Sequence, residues 1–247
     1  MNTEQDTHSV IFNTGAFKFS GINIDSLQST QYTLVGLAID SSMSISNFAP
    51  QMTKAVKEVV RSLQNAPNSD NLMLRVLNFD RTTNEVHGFQ EWNKCDLTQY
   101  DKIFTKFGGS TCLYDATIDA LDSLNKYGME LVNQDYSPVN ALLVVLTDGL
   151  DNNSTFTFKD VVRKMKEGVG EKKLESMLSI LIGVNIHDPQ VGIELNNFKR
   201  ESEFDSYIEI DNVTEKSVAR LANFISKSIS SQSSSLGGGS KSQTITF

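Results

Sequence analysis

The chain has 247 residues, 39% hydrophobic and 21% charged, an ordinary mixture for a globular protein and enough to bury one sizeable core. Its formal net charge of -8 and pI near 4.9 disfavour nucleic acid and anionic membranes as partners and favour cations and basic surfaces. Two cysteines, Cys95 and Cys112, are too few for a disulfide scaffold or a cysteine zinc cage and read as free thiols in a reducing compartment.

From the N-terminus, residues 1–8 are polar and acidic, without the basic start and apolar stretch of a signal peptide. No apolar run approaches the ~20 residues that cross a bilayer. A cytoplasmic protein is therefore expected. Residues 1–30 form an N-terminal extension in which Val10-Ile11-Phe12 and Phe17-Lys18-Phe19 read as a hairpin or as a segment packed on the core. Residues 32–39 are a near-continuous apolar run ending at Asp40, residues 72–79 a second ending at Asp80, and residues 141–146 a third ending at Thr147-Asp148-Gly149. Residues 177–184 and 207–210 give two more. Apolarity on both faces is the mark of parallel strands covered by helices. Residues 83–90 alternate less clearly and predict an antiparallel edge strand.

Between these runs the period changes. Phe48, Met52, Val56, Val59, Val60 and Leu63 draw one helical stripe, and Leu113, Ala116, Thr117, Ala120, Leu121 and Leu124 draw a second. Phe158, Val161, Val162 and Met165 repeat it, and Val218, Leu221, Ala222, Ile225 and Ile229 do so near the end. Asp188-Pro189 opens a further helix, with Asp as cap and Pro in the first turn. The alternation predicts an α/β fold over residues 31–229, a doubly wound, mostly parallel sheet flanked by helices. Residues 230–247 turn to Ser, Gly, Lys and Gln, the composition of a flexible tail, and close on Gln243-Thr244-Ile245-Thr246-Phe247, which has strand propensity.

In such sheets the ligand crevice lies beyond the carboxyl ends of the strands, which gathers Asp40, Asp80 and Asp148 at one edge. Asp40-Ser41-Ser42-Met43-Ser44 is an Asp-x-Ser-x-Ser pattern. Taken alone it reads equally as a capped turn before a helix. Gly108-Gly109-Ser110-Thr111 precedes the second helical stripe, and Thr147-Asp148-Gly149 ends the third strand. Hydroxyl and carboxylate oxygens are hard donors suited to Mg²⁺, Mn²⁺ or Ca²⁺. Asp80 reads as a structural turn residue, and Asp151, Asn152 and Asn153 as a solvated turn. The histidines His8, His87 and His187 are scattered, and neither a Gly-x-Ser-x-Gly elbow nor a phosphate-binding P-loop is present. Arg163-Lys164-Met165-Lys166 reads as the solvated face of a helix.

The three motifs, in this order and on these elements, resemble the metal-ion-dependent adhesion site of von Willebrand factor A domains across residues 30–230. The resemblance implies a Rossmann-like domain with one Mg²⁺ at Asp40, Ser42, Ser44, Thr111 and Asp148. It also implies a partner protein whose Asp, Glu or terminal carboxylate completes the metal's coordination. Met43 stands where many relatives carry Gly. The resemblance further implies a compact intracellular bacterial type, similar to tellurite-resistance-associated members, acting as scaffold or regulatory subunit in a stress response. It implies, too, that a shift of the last helix, residues 213–229, couples to ligand affinity. The expectation is a binding module and not an enzyme. Two alternatives stand beside it: a Mg²⁺-dependent hydrolase such as a phosphatase, for which Asp40 lacks a second carboxylate two residues on, and self-assembly through the C-terminal tail.

Overall fold

The computed structural model describes residues 9–63, 69–167, 174–186 and 188–234. The strands are β1 (Ser9–Asn13), β2 (Lys18–Ile22), β3 (Tyr32–Asp40), β4 (Leu72–Phe79), β5 (Thr83–Glu91), β6 (Val139–Thr147), β7 (Ser176–Val184) and β8 (Ser206–Ile210). The helices are α1 (Ala49–Ser62), α2 (Leu113–Asn133), α3 (Phe158–Glu167), α4 (Pro189–Glu201) and α5 (Glu215–Ser234). The strands form one sheet in the order β1-β2-β5-β4-β3-β6-β7-β8. β3, β4, β6, β7 and β8 run parallel, and β5 pairs antiparallel with β4.

The expected doubly wound α/β architecture is what forms, and its cause is visible in β3. Every residue of β3 is buried. Val35, Leu37 and Ile39 join a core with Met52, Val56 and Val59 of α1 and Leu221, Ile225 and Ile229 of α5. Leu34 and Ala38 point the other way, into a core with Ala116, Leu121 and Leu124 of α2. The period of two sends alternate side chains to opposite faces, and helices seal both. Each such aliphatic side chain, fully buried, contributes about 1.5–3 kcal/mol. Gly36 lets α2 lie close, since a Cβ there would stand 3.3 Å from the Leu124 side chain.

Successive strands leave β3 in both directions, to β4 on one side and to β6, β7 and β8 on the other. The chain reverses direction between β3 and β6, so a crevice opens at their carboxyl ends. Asp40 and Thr147 are the last residues of those two strands.

The structure departs from expectation at both ends. β5 is antiparallel as expected but is not an edge, because β1 and β2 form an antiparallel hairpin whose second strand docks on it, Gly21 opposite Phe89. The close fit needs a glycine on β5: a Cβ on Gly88 would stand 2.0 Å from the Ser20 carbonyl oxygen. At the other end, α5 continues through Ser234, so residues 230–234 are helix and not flexible tail. Its last turn is held by Gln232, whose amide donates to the Ala141 carbonyl at 3.1 Å and accepts from Ser176 at 3.1 Å, while Asn140 donates to the Gln232 carbonyl at 3.0 Å. The tail segment Gln243-Thr244-Ile245-Thr246-Phe247, His8 and His187 lie outside the described residues. Among the described residues no helix is long and apolar enough to cross a membrane.

Candidate metal centre

Three loops meet over the crevice. The first leaves β3. Asp40 is fully buried, and one carboxylate oxygen accepts from the Ser42 amide at 2.8 Å. Its other oxygen accepts from the Thr147 hydroxyl, at the end of β6, at 2.7 Å. The Ser42 and Ser44 hydroxyls lie 3.0 Å apart, and the Ser44 hydroxyl donates to Asp148 at 2.8 Å. Asp40, Ser42, Ser44 and Asp148 are thereby brought into one connected cluster. Ser42 stands at the N-cap of the 3-10 turn that follows it, but its hydroxyl caps no backbone N–H there and instead meets the Ser44 hydroxyl. Its neighbour Met43 is more than half exposed at the rim.

The second loop, residues 108–111, lies against the first. Ser42 and Gly108 form an isolated parallel bridge, and the Met43 amide donates to the Gly108 carbonyl at 2.8 Å. Gly108 is needed there, because a Cβ would come 2.5 Å from the Asp80 carboxylate. A Cβ on Gly109 would meet nothing within 4 Å. Asp80 has the structural role expected of it: its carboxylate accepts from the amide of Thr82 at 3.3 Å, and its carbonyl accepts from the Cys112 amide at 2.8 Å.

The third loop follows β6, and here the expectation of a merely solvated turn is corrected. Asn152 accepts from the Thr111 amide at 2.8 Å through its side chain and donates its own amide to the Thr111 carbonyl at 3.0 Å. Asp151 accepts from the Tyr114 amide and Ser154 from the Asp115 amide, so two unsatisfied N–H groups in the first turn of α2 are capped from this loop. Asp115 returns the contact by accepting from Thr155 and Phe156. Asn153 donates to the Arg81 carbonyl at 2.8 Å. Thr111, itself buried, is therefore held on a loop tied to both of the others. Sequence reasoning gave Thr147 no role beyond the strand end, and for Asn152 it favoured a solvated turn over a place bordering the site. The usable signal was their adjacency to Asp148 at a strand end.

The electrostatics of the cluster are one-sided. Burial, and then the nearby charge of Asp148, push the Asp40 carboxyl up to about 7. Burial also raises Asp148, offset in part by the hydroxyls of Ser44 and Ser42. Among the described residues neither carboxylate has an ion pair with Lys or Arg. Two acids and three hydroxyls supply oxygen donors alone, the set that suits a hard divalent cation. Such an ion would bring the positive charge that no described Lys or Arg supplies. Among the described residues no group of three or more His, Cys, Asp or Glu offers an alternative metal cage.

Comparison with known proteins agrees with the fold. The sequence matches the von Willebrand factor type A domain family over residues 35–190. The chain belongs to that family. Among solved structures, the pilus adhesin SpaC from Lactobacillus rhamnosus GG superposes with a TM-score of 0.60 at 14% identity, covering 83% of this chain and 30% of that one. The PilB minor pilin from Streptococcus sanguinis gives 0.57 at 15%, covering 85% and 64%. Proximal thread matrix protein 1 from the mussel byssus, in a form with a zinc-occupied MIDAS motif, gives 0.52 at 17%, covering 80% and 45%. At these identities the likeness is one of fold. This von Willebrand factor A chain spans less than two thirds of the length of each. No curated protein sequence matches it.

Proposed function

We propose that this von Willebrand factor A domain binds one divalent cation, Mg²⁺ or alternatively Mn²⁺ or Ca²⁺, and uses it to hold a partner protein's carboxylate. The carrying observation is the buried Asp40 facing Asp148 through Ser42 and Ser44 with no cation beside them among the described residues. In this reading Ser42 and Ser44 offer neutral hydroxyl oxygens, Asp40 and Asp148 bind directly or through water, and Thr111 contributes from the second loop. A donor set part neutral and part anionic leaves residual positive charge on the ion, which an Asp, Glu or terminal carboxylate of a partner would meet. The zinc in the byssus protein's MIDAS motif supports a cation at the equivalent place.

Binding fits this chain better than catalysis. His87 is buried on β5, with its ring nitrogens 2.9 Å from the Gly88 carbonyl and 2.9 Å from the Tyr100 hydroxyl, and burial lowers its pKa. Cys112, next to Thr111, is buried, and burial first of all pushes its thiol up to about 12, far from a reactive thiolate. The role is that of a scaffold or regulatory subunit.

The test is calorimetric titration of Mg²⁺ and Mn²⁺ into chelator-treated protein, beside the double variant Asp40→Ala/Ser42→Ala. Saturable binding to the wild type and none to the folded variant is expected. A folded wild type that binds neither ion, alone or with an added carboxylate peptide, would sink the reading. Mg²⁺-dependent phosphoester turnover lost in Asp40→Asn would replace it with the hydrolase.

A further inference from the structure

The two edges of the sheet are unlike each other. β8, at one edge, carries Glu209 and is bracketed by Asp205 and Asp211, so a second strand approaching it meets negative charge on a chain already at -8. β1, at the other, reads Ser-Val-Ile-Phe-Asn, with no charge and no proline. Charged residues, proline and bulges are the usual guards against strand-to-strand association, and β1 has none of them.

The hydrogen-bond phase of the hairpin shows which backbone groups of β1 have no strand partner among the described residues. At its closed end the Thr14 amide donates to the Phe17 carbonyl at 3.0 Å, which makes residues 14 and 17 a bonded pair. Antiparallel pairs alternate between bonded and non-bonded. With Phe12 opposite Phe19 and Val10 opposite Gly21, those two pairs carry the bonds to β2. Ile11, opposite Ser20, lies in a non-bonded pair, and the Ser20 amide accordingly turns to the Glu85 carboxylate at 3.0 Å. The N–H and C=O groups of Ser9, Ile11 and Asn13 thus face outward along the edge.

The side chains follow the same alternation. Phe12 turns towards α2, stacking on Phe19 at 5.1 Å and meeting Tyr127 edge-on at 5.3 Å. Ile11 points to the other face and is 70% exposed, the most exposed large apolar side chain among the described residues. Beside the edge, Met129 of α2 is 38% exposed and lines a cleft with Asn13 and Thr14, where two acids, Asp122 and Glu167, balance two lysines, Lys126 and Lys164.

We propose that the outer edge of β1, unpaired among the described residues, is a self-association surface, at which β1 of a second copy of this chain pairs antiparallel about a two-fold axis through Ile11. The strand is self-complementary for this. Its three outward residues are centred on Ile11, so the axis sets Ile11 against its own copy and Ser9 against Asn13, each as a bonded pair. A two-fold interface uses one patch on both subunits, and a neutral patch is what two acidic chains can bring together. The paired isoleucines bury a β-branched cross-strand contact that is solvated in the monomer. β2, β5 and β4 separate this edge from β3, so both copies keep their loop clusters open to a partner.

The test uses the full 247-residue chain. Amide exchange is followed by NMR over a concentration series, with sedimentation velocity for mass. Val10 and Phe12 amides are expected to be protected at every concentration. Ile11 and Asn13 amides should slow in step with the rise of dimer. Ile11→Lys places like charges across the axis and should weaken association by about tenfold or more while leaving Val10 and Phe12 protected. A chain that stays monomeric throughout overturns the proposal. So does a dimer in which Ile11 and Asn13 exchange freely, or one that Ile11→Lys leaves as tight as before.

Discussion

Two clusters of buried charge in this molecule are built in opposite ways. On β4, Arg75 is 2% exposed and lies 2.9 Å from Glu85 and 3.0 Å from Asp119, donates to Ser123 at 3.1 Å, and stacks over the Phe19 ring. Glu85 also accepts from the Ser20 amide and hydroxyl. One cation is shared by two carboxylates, and the set ties the β1-β2 hairpin, β4, β5 and α2 together. At the loop cluster Asp40 accepts from the Ser42 amide and the Thr147 hydroxyl and Asp148 from the Ser44 hydroxyl, and neither has a cation among the described residues. A buried charge must be paired to be tolerated. Where the chain supplies the partner, the cluster is structural. Where no described residue does, as at Asp40 and Asp148, the cluster is the place proposed for an ion from outside.

The sharpest way to break this comparison is to remove the internal cation. Arg75→Met leaves Asp119 and Glu85 facing each other, as Asp40 and Asp148 do, but in a place built to be closed. Burial already raises the Asp119 carboxyl, with Arg75 opposing the rise. Loss of the guanidinium should cost about 3–5 kcal/mol in urea unfolding. Replacing Asp119 by Leu in the same chain should recover part of that. An unchanged midpoint in Arg75→Met would show that the cluster does not hold the hairpin.

The external cation gives the next effect. Mg²⁺ at about 100 times its dissociation constant should stabilise the chelator-treated wild type by about 2.7 kcal/mol, read as a rise in Tm. Asp40→Asn should lose that gain, and Arg75→Met, though less stable, should keep it. Equal gains in wild type and Asp40→Asn would place the ion elsewhere.

On the proposed reading, proton and metal would compete for the same oxygens, which fixes the sign of a pH effect. The folded Asp40 carboxyl is raised from 3.8 to about 7, so between those values the folded chain holds more protons than the unfolded one. Its contribution to stability is complete below the ordinary value and is lost as pH climbs through about 7, at no more than about 1.4 kcal/mol per pH unit. Metal-free protein should therefore lose Tm from this site between pH 4 and 7, and Asp40→Asn should flatten that trend. Mg²⁺ affinity should run the other way, strengthening up to about pH 7. A metal-free Tm slope identical in wild type and Asp40→Asn would mean that Asp40 titrates as an ordinary carboxylate.

Much of this layout was legible because it is written in local sequence. The parallel strands announce themselves as apolar runs, since both faces are buried. Asp40, Ser42, Ser44 and Asp148 fall at the ends of two such runs, and the topology rule alone brings those ends together. The hairpin's place beside β5 was not legible, because it depends on Gly88 giving room to Ser20, a contact between residues far apart in the chain. The stitching by Asp151, Asn152 and Ser154 was hidden for the same reason: Asp, Asn and Ser after a strand look alike whether they face water or cap a distant helix. The last turn of α5 was misread because serines suggest a linker, whereas Ser226, Ser228 and Ser230 return their hydroxyls to carbonyls one turn back.

That last turn supplies a third kind of buried polar cluster, and the smallest effect. Asn140, Ser176 and Gln232 are neutral and satisfy one another at the amino ends of β6 and β7, the opposite end of the strands from the metal loops. Gln232→Ala removes the side-chain hydrogen bonds to Ala141 and Ser176 and should cost about 1–2 kcal/mol, partly offset by alanine's better helix propensity. With no charge involved, the cost should be the same at pH 5 and pH 7, and with or without Mg²⁺. A loss that changed on adding Mg²⁺ would carry a different lesson. α5 packs along β3 and β6, whose far ends bear Asp40 and Thr147, so the two ends of the sheet would then be coupled through that helix. The metal loops would have a second state, and Gln232 would be one of the residues that set its population.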